Sequence, residues 1–239
     1  MTYDGSSWST PVSLDSTAYV GSQSSLAIDS SDNLHVAYYD TTNTALEYIA
    51  YDGSSWSTPV TLDNSGSDNK NPSLVIDSND EIHITYYDNS NKNLDYITYD
   101  GSSWSSSLTL DSTDYVGLYS SLAVDSNDNL YATYHDETNK NLEYMSYDGS
   151  SWSTPASIDS AGDVGLDSSL AIDSNDNLHV TYLDYTNYNL EYMTPDYDGD
   201  NSADIMDACP YNYGTSTEDR VGCIDTDGDG WSDLGDDFH

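Results

Sequence analysis

Short apolar runs separated by turn residues fill this chain from residue 3 to residue 194. Leu34, Val36 and Tyr38 fall on one face of an extended segment and Ala37 and Tyr39 on the other, as expected of a strand covered on both sides. The runs recur. Tyr-Asp-Gly-Ser-Ser-Trp starts at Tyr3, Tyr51, Tyr99 and Tyr147, 48 residues apart each time, and Ser-Leu-Ala-Ile-Asp at 25–29 returns in near-identical form at 73–77, 121–125 and 169–173. Four units follow, 3–50, 51–98, 99–146 and 147–194; residues 195–239 break the pattern and form a second region.

Each unit reads as four strands, A to D. Starting in the third these are Ser121–Asp125, Leu130–His135, Leu142–Tyr147 and, at the start of the next unit, Trp152–Ser157, with turns at 125–129 and at Asp148-Gly149. Such a unit cannot cover its own faces, and 48 residues is small for an independent domain without disulfides. The expected architecture is therefore an all-β propeller of four-stranded antiparallel blades.

The segment Thr2-Tyr-Asp4-Gly5-Ser-Ser-Trp8 and its three copies resemble a shortened Asp-box, the turn of sialidase-like (BNR-type) propellers, with one residue fewer between Asp and Gly. The resemblance implies a propeller of more than four blades. Met1 aligns with the middle of a unit, and Thr2-Tyr3-Asp4 follows it without a signal peptide. Two readings result: a fragment of a longer protein, which is favoured, or a four-blade ring closed by pairing Trp8–Leu14 with Leu190–Thr194.

The chain carries 43 acidic residues against 4 Lys+Arg, a formal charge of −39. That balance excludes a phosphate-reading surface and disfavours docking on an anionic membrane. No apolar run approaches the ~18 residues of a membrane span. Tyr outnumbers Phe by 23 to 1, which suits strands. The acidity is also compatible with adaptation to high salt.

The repeat separates blade-building residues from candidates for specific work. Trp8, Trp56, Trp104 and Trp152 share one position and read as packing anchors; Asp4, Asp52, Asp100 and Asp148 read as acceptors within their own turns. His35, His83 and His179 share a position with Tyr131 and read as packed or hydrogen-bonded strand residues. The D–A and B–C loops differ between units and share one face, where ligand contacts on a rigid scaffold concentrate. Tyr19, Lys70, Asp114, Tyr115, Tyr119, Tyr185 and Tyr188 are the candidate ligand-binding residues there, for a protein or glycan partner; surface drift without function is the competing reading.

Sialidase activity, by the same resemblance, needs an arginine cluster, a tyrosine nucleophile and an acidic partner. The one arginine, Arg220, lies outside the repeats, and Lys70, Lys92 and Lys140 lack the bidentate geometry of a guanidinium. The expectation is no catalysis.

Residues 195–239 hold 13 of the acidic residues. Asp196, Asp198, Asp200, Asp204 and Asp207 stand at positions 1, 3, 5, 9 and 12 of one loop, and Asp225, Asp227, Asp229, Asp233 and Asp236 repeat that spacing. With a backbone carbonyl near position 7, at Ser202 and Trp231, this delivers the six to eight oxygens Ca²⁺ takes. Pro195 and Pro210 argue against EF-hand helices. The run ending Asp207-Ala-Cys209-Pro210 resembles a thrombospondin type 3 repeat, with Asn201 where Gly is usual. That resemblance implies a calcium-stiffened extracellular region, in which Cys209 and Cys223 fit a disulfide between the loops; free thiols are the alternative. The expected function is a non-catalytic extracellular or cell-surface binding or adhesion module. A glycan-binding lectin is the alternative, and a fragment of a glycoside hydrolase or lyase a third reading.

Overall fold

The computed structural model describes residues 5–17, 19–64 and 69–195. Among these, every regular element is a strand, and the strands form four antiparallel meanders in sequence order. Blade 1 comprises β1 (Val20–Ile28), β2 (Leu34–Asp40), β3 (Ala45–Tyr51) and β4 (Val60–Asp63); blade 2, β5 (Asn69–Ile76), β6 (Ile82–Asp88), β7 (Asn93–Tyr99) and β8 (Leu108–Asp111). Blade 3 holds β9 (Val116–Val124), β10 (Leu130–Asp136), β11 (Asn141–Tyr147) and β12 (Ala156–Asp159), and blade 4 holds β13 (Leu166–Ile172), β14 (Leu178–Asp184) and β15 (Asn189–Met193). The protein is a β-propeller, and its innermost strands β1, β5, β9 and β13 pack in succession.

The fourth strand starts later than the sequence suggests. Trp152 makes only an isolated bridge with Tyr147, and the ladder resumes at Ala156 opposite Tyr144. The bridge closes the turn, and the same gap recurs in blade 2, where Ser107 stands in place of Pro155 and the ladder resumes at Leu108. Ring closure by residues 8–14 is not realised among the described residues: β15 pairs with β14, and residues 9–17 form no strand.

Neighbouring blades share cores. Tyr48 of β3 packs with Leu74, Ile82, Ile84 and Tyr86 of blade 2, and Trp104 meets Tyr48 edge-on at 4.9 Å. Trp152 repeats that contact on Tyr96 at 5.4 Å, so the expected packing role is realised between blades for Trp104 and Trp152, whereas Trp8 is 68% exposed. Coverage is legible along the second strands. All seven residues of β6 are buried, whereas β14 alternates buried with half-buried residues. Leu26 and Ile28 of blade 1 and Leu190 of blade 4 are exposed on uncovered outer faces.

Polar bonds repeat across every described junction. The buried hydroxyls of Tyr86, Tyr134 and Tyr182 each donate at 2.7 Å to the aspartate ending the previous blade, Asp63, Asp111 and Asp159. Ser25, Ser73 and Ser121 Oγ accept the N–H of Leu74, Leu122 and Leu170 on the next inner strand. Asp80, Asp128 and Asp176 take the N–H and hydroxyl of Ser30, Ser78 and Ser126 in the preceding blade.

Candidate functional site

The variable loops meet as expected. The N–H of Tyr19, Tyr115 and Asp163, each just ahead of or within a D–A loop, donates to Thr42, Thr138 and Thr186 in the B–C loop of the same blade. Asp114 and Tyr115 line an open cleft of about 520 Å³ between blades 2 and 3, with Asn91, Lys92, Ser112 and Thr138. Tyr115 is half-buried there: Tyr87 meets its ring edge-on at 5.7 Å, and Lys92 Nζ lies 3.9 Å from its centroid. This cation–π contact brings in Lys92, which lies in a variable B–C loop but is not among the candidate ligand-binding residues. At the next junction Lys140 is engaged by Glu137 at 2.7 Å and Asp163 at 3.6 Å. Tyr185 and Tyr188 form an exposed pair 5.4 Å apart on blade 4, and Tyr19 is 73% exposed on blade 1. These aromatics sit on separate blades and do not converge. The side chain of Lys70 lies outside the described residues.

Convergence occurs instead at the inner strands. Every inner strand slips register against its neighbour just after its start, between Ser22 and Ser25, Lys70 and Ser73, Leu118 and Ser121, and Leu166 and Ser169. The first residue of each bulge is left-handed: Gln23 (φ 53°), Asn71 (57°), Tyr119 (54°) and Asp167 (49°). A bulge bends its strand and re-aims a side chain. Here four of them gather Gln23, Ser24, Asn71, Pro72, Tyr119, Ser120, Asp167 and Ser168 around one depression of about 280 Å³. Its rim is tied together by Asn71 N–H to Gln23 Oε1 at 3.1 Å, Ser120 Oγ to the Asn71 carbonyl at 3.3 Å and Ser168 Oγ to the Tyr119 carbonyl at 2.9 Å.

Tyr119 was the one member of this set among the sequence candidates. The signal for the others was present: two amides, a phenol and a carboxylate occupy one repeat position ahead of the near-constant Ser-Leu-Ala-Ile run. What the sequence lacked was the bulge that turns this position inward.

Burial, with the charges of Asp167 and Glu137 behind it, pushes the Tyr119 phenol up. It is therefore a neutral hydroxyl near neutrality, a donor and acceptor rather than a nucleophile. Glu47, Asp95 and Glu143, the carboxylates held above their ordinary range by burial, occupy one repeat position in three blades. Asp52, Asp100 and Asp148 each accept two backbone N–H groups and a serine hydroxyl of their own turn, and each is pulled down to about 2. The turn role expected of them is what the structure shows. His35, His83 and His179 each bond a tyrosine hydroxyl through Nδ1, at 2.6, 2.6 and 2.8 Å. The expected carboxyl-terminal calcium ligands from Asp196 to Asp236, and Cys209 and Cys223, lie outside the described residues.

No family model and no curated protein matches the chain. Solved structures do. A fucoside complex of the lectin from Aleuria aurantia is 18% identical, with a TM-score of 0.54 over 74% of this chain and 59% of the lectin. A protein of unknown function from Dyadobacter fermentans is 11% identical, with a TM-score of 0.52 over 69% of this chain and 62% of its own. The leech intramolecular trans-sialidase is 17% identical, with a TM-score of 0.52 over 71% of this chain and 30% of the enzyme. The chain thus spans about three fifths of the first two proteins and under a third of the enzyme. These likenesses place the chain among propellers, a fold shared by sugar binders and sugar-cleaving enzymes.

Proposed function

We propose that this protein is a non-catalytic, glycan-binding propeller whose ligand sits in the axial depression. The carrying observation is the convergence of four non-repeating polar side chains, Gln23, Asn71, Tyr119 and Asp167, on one cavity. Amide, phenol and carboxylate groups match the alternating donors and acceptors of a sugar ring, and a few placed polar groups in a concave site are what fix a small ligand. The lectin likeness supports the reading by fold alone. A neutral glycan suits it, because the surrounding charge repels an anionic one. A general protein-adhesion surface is less favoured, because the exposed aromatics Tyr19, Tyr185 and Tyr188 are scattered over two blades.

Within this proposal the carboxyl-terminal loops bind Ca²⁺ and the module works outside the cell, a reading that rests on their spacing. The test is a neutral-glycan array with the full chain in millimolar Ca²⁺, followed by calorimetry on the best binder. Tyr119→Phe should weaken binding about 2- to 10-fold and Asp167→Asn about 10-fold or more, as expected for a neutral and a charge-assisted hydrogen bond. Unchanged affinity in both variants removes the site, and cleavage of the bound glycan removes the non-catalytic reading.

A further inference from the structure

One histidine departs from its repeat-mates. In blade 1, His35 Nε2 bonds Asp29 at 3.2 Å, and Asn33 Nδ2 donates to the same carboxylate at 2.8 Å. In blade 3, Tyr131 and Asn129 satisfy Asp125 in the same way, at 2.9 and 2.8 Å. In blade 4, Asn177 donates to Asp173 at 3.0 Å; His179 Nε2 stands 3.7 Å from that carboxylate, but its side chain is 20% exposed and open to water. Blade 2 alone places Glu81 where the other three have asparagine. The amide donor at that position is replaced by a second carboxylate beside Asp77.

The histidine there is left without a partner on one side. His83 is 5% exposed, its Nδ1 bonds Tyr96 Oη at 2.6 Å, and its buried Nε2 makes no hydrogen bond. The nearest Asp77 oxygen stands 3.6 Å away. A buried imidazole nitrogen without a partner forfeits its hydration. Two adjoining carboxylates repel each other unless a cation lies between them. One bound cation removes both defects.

We propose that Asp77, Glu81 and His83 form a site for a single divalent transition metal of the Zn²⁺ class. Their ligating atoms lie within 4.8 Å of one another, against roughly 3.4 Å across a tetrahedral centre with ~2.1 Å bonds. Glu81, in the turn ahead of β6 and only half-buried, is free to close that gap. Asp77 is already fixed by the N–H groups of Asn79 and Glu81. With a metal on Nε2, the Nδ1–H would donate to Tyr96 Oη, 2.6 Å away, the outer-shell arrangement of metal-bound histidines. One imidazole with two carboxylates suits Zn²⁺ or its neighbours; Ca²⁺, which takes oxygen ligands, does not fit. Three protein ligands leave the fourth position to water.

Equilibrium dialysis of the full chain against micromolar Zn²⁺ tests this, with millimolar Ca²⁺ present to occupy the carboxyl-terminal loops and the cysteines alkylated. Glu81→Asn restores the residue of the other three blades, and His83→Tyr copies blade 3, so both variants have a folded precedent within the molecule. Each is expected to lose one Zn²⁺ equivalent, and to lose any Zn²⁺-induced rise in melting temperature. Equal stoichiometry in wild type and both variants overturns the proposal. So does wild-type binding that appears only at millimolar Zn²⁺, which would leave a water as the partner of Nε2.

Discussion

Gly117 offers a controlled measure of how tightly the blades are stacked. It opens β9 with φ +92°, and a Cβ added there would lie 2.7 Å from Leu94 Cα and 2.8 Å from Leu94 N, both backbone atoms of blade 2. The approach is enforced by the Val116 N–H, which donates across the junction to the Lys92 carbonyl at 3.0 Å. Gly21 is the same repeat position in blade 1, with φ +82° and nothing within 4 Å of an added Cβ. Both alanine variants bear the left-handed penalty of about 1–2 kcal/mol. Only Gly117→Ala must also push the facing backbones apart by the better part of an ångström, an overpacking cost of about 1–3 kcal/mol. The expected losses are therefore about 1–2 kcal/mol for Gly21→Ala and about 2–5 kcal/mol for Gly117→Ala. Urea unfolding of the two variants, compared at equal m-value, reads the difference. Equal midpoints would refute the reasoning, since the units would then not lean on each other at this seam. Gly165, 2.8 Å by the same measure from Leu142 Cα, should behave as Gly117 does.

Two further outcomes are expected. Asp128→Gly removes the acceptor that staples Ser78 of blade 2 to blade 3 without straining φ +64°, and should cost about 1 kcal/mol after solvent screening; Asp128→Ala should cost about 1 kcal/mol more, and identical melting of wild type and both variants would show that the staple carries nothing. The stability–pH curve should have an acid-side maximum. Glu47, Asp95 and Glu143, pushed up by burial, favour the fold when protonated, so their contribution grows as pH falls toward the ordinary carboxylate range, while His83, pulled down by burial, opposes them below the ordinary histidine range; Asp29, Asp52, Asp100 and Asp148, pulled down to about 2 by hydrogen bonds, contribute above pH ~4 and lose that contribution as pH falls toward 2. Melting of the His83→Tyr variant, followed by circular dichroism, should show the temperature rising and then falling as pH drops from 7, and a monotonic fall would contradict the assignment.

The architecture was legible because four copies of one unit can be compared position by position. The positions of Tyr86, Tyr134 and Tyr182 could be read as strand residues from alternation alone, and the Asp-Gly turn as a turn from its chemistry. What the copies could not show was direction across blades. The donation of Tyr134 to Asp111, or of Ser78 to Asp128, joins residues of adjacent blades, and a register argument within one blade has no access to it. The same limit hid the axial depression. Gln23, Asn71, Tyr119 and Asp167 look like loop drift in sequence and become a set only when the bulges face one axis. Lys92 was passed over because its role depends on Tyr115 of the next blade.

The acidity of the chain takes on a different meaning once the partners of the carboxylates are known. Asp29, Asp77, Asp125 and Asp173 cap the first turn of each blade, and Asp40, Asp88, Asp136 and Asp184 cap the second. Asp52, Asp100 and Asp148 cap the third, while Asp63, Asp111 and Asp159 receive a tyrosine from the next blade. Each serves as an acceptor for its own chain, so one turn solution copied four times multiplies charge without any selection for charge as such. Adaptation to salt would place carboxylates on free surface, exchangeable for any hydrated group. Here the propeller's aspartates are largely bound to N–H and O–H groups that would otherwise be orphaned. Exchanging Asp136 for serine would therefore disturb a turn as well as the net charge, because Thr138 and Asn139 N–H and the Asn139 amide all depend on it. The same comparison singles out Glu81, which caps no turn with its side chain and has no counterpart in the other blades, as a carboxylate whose presence the fold by itself does not explain.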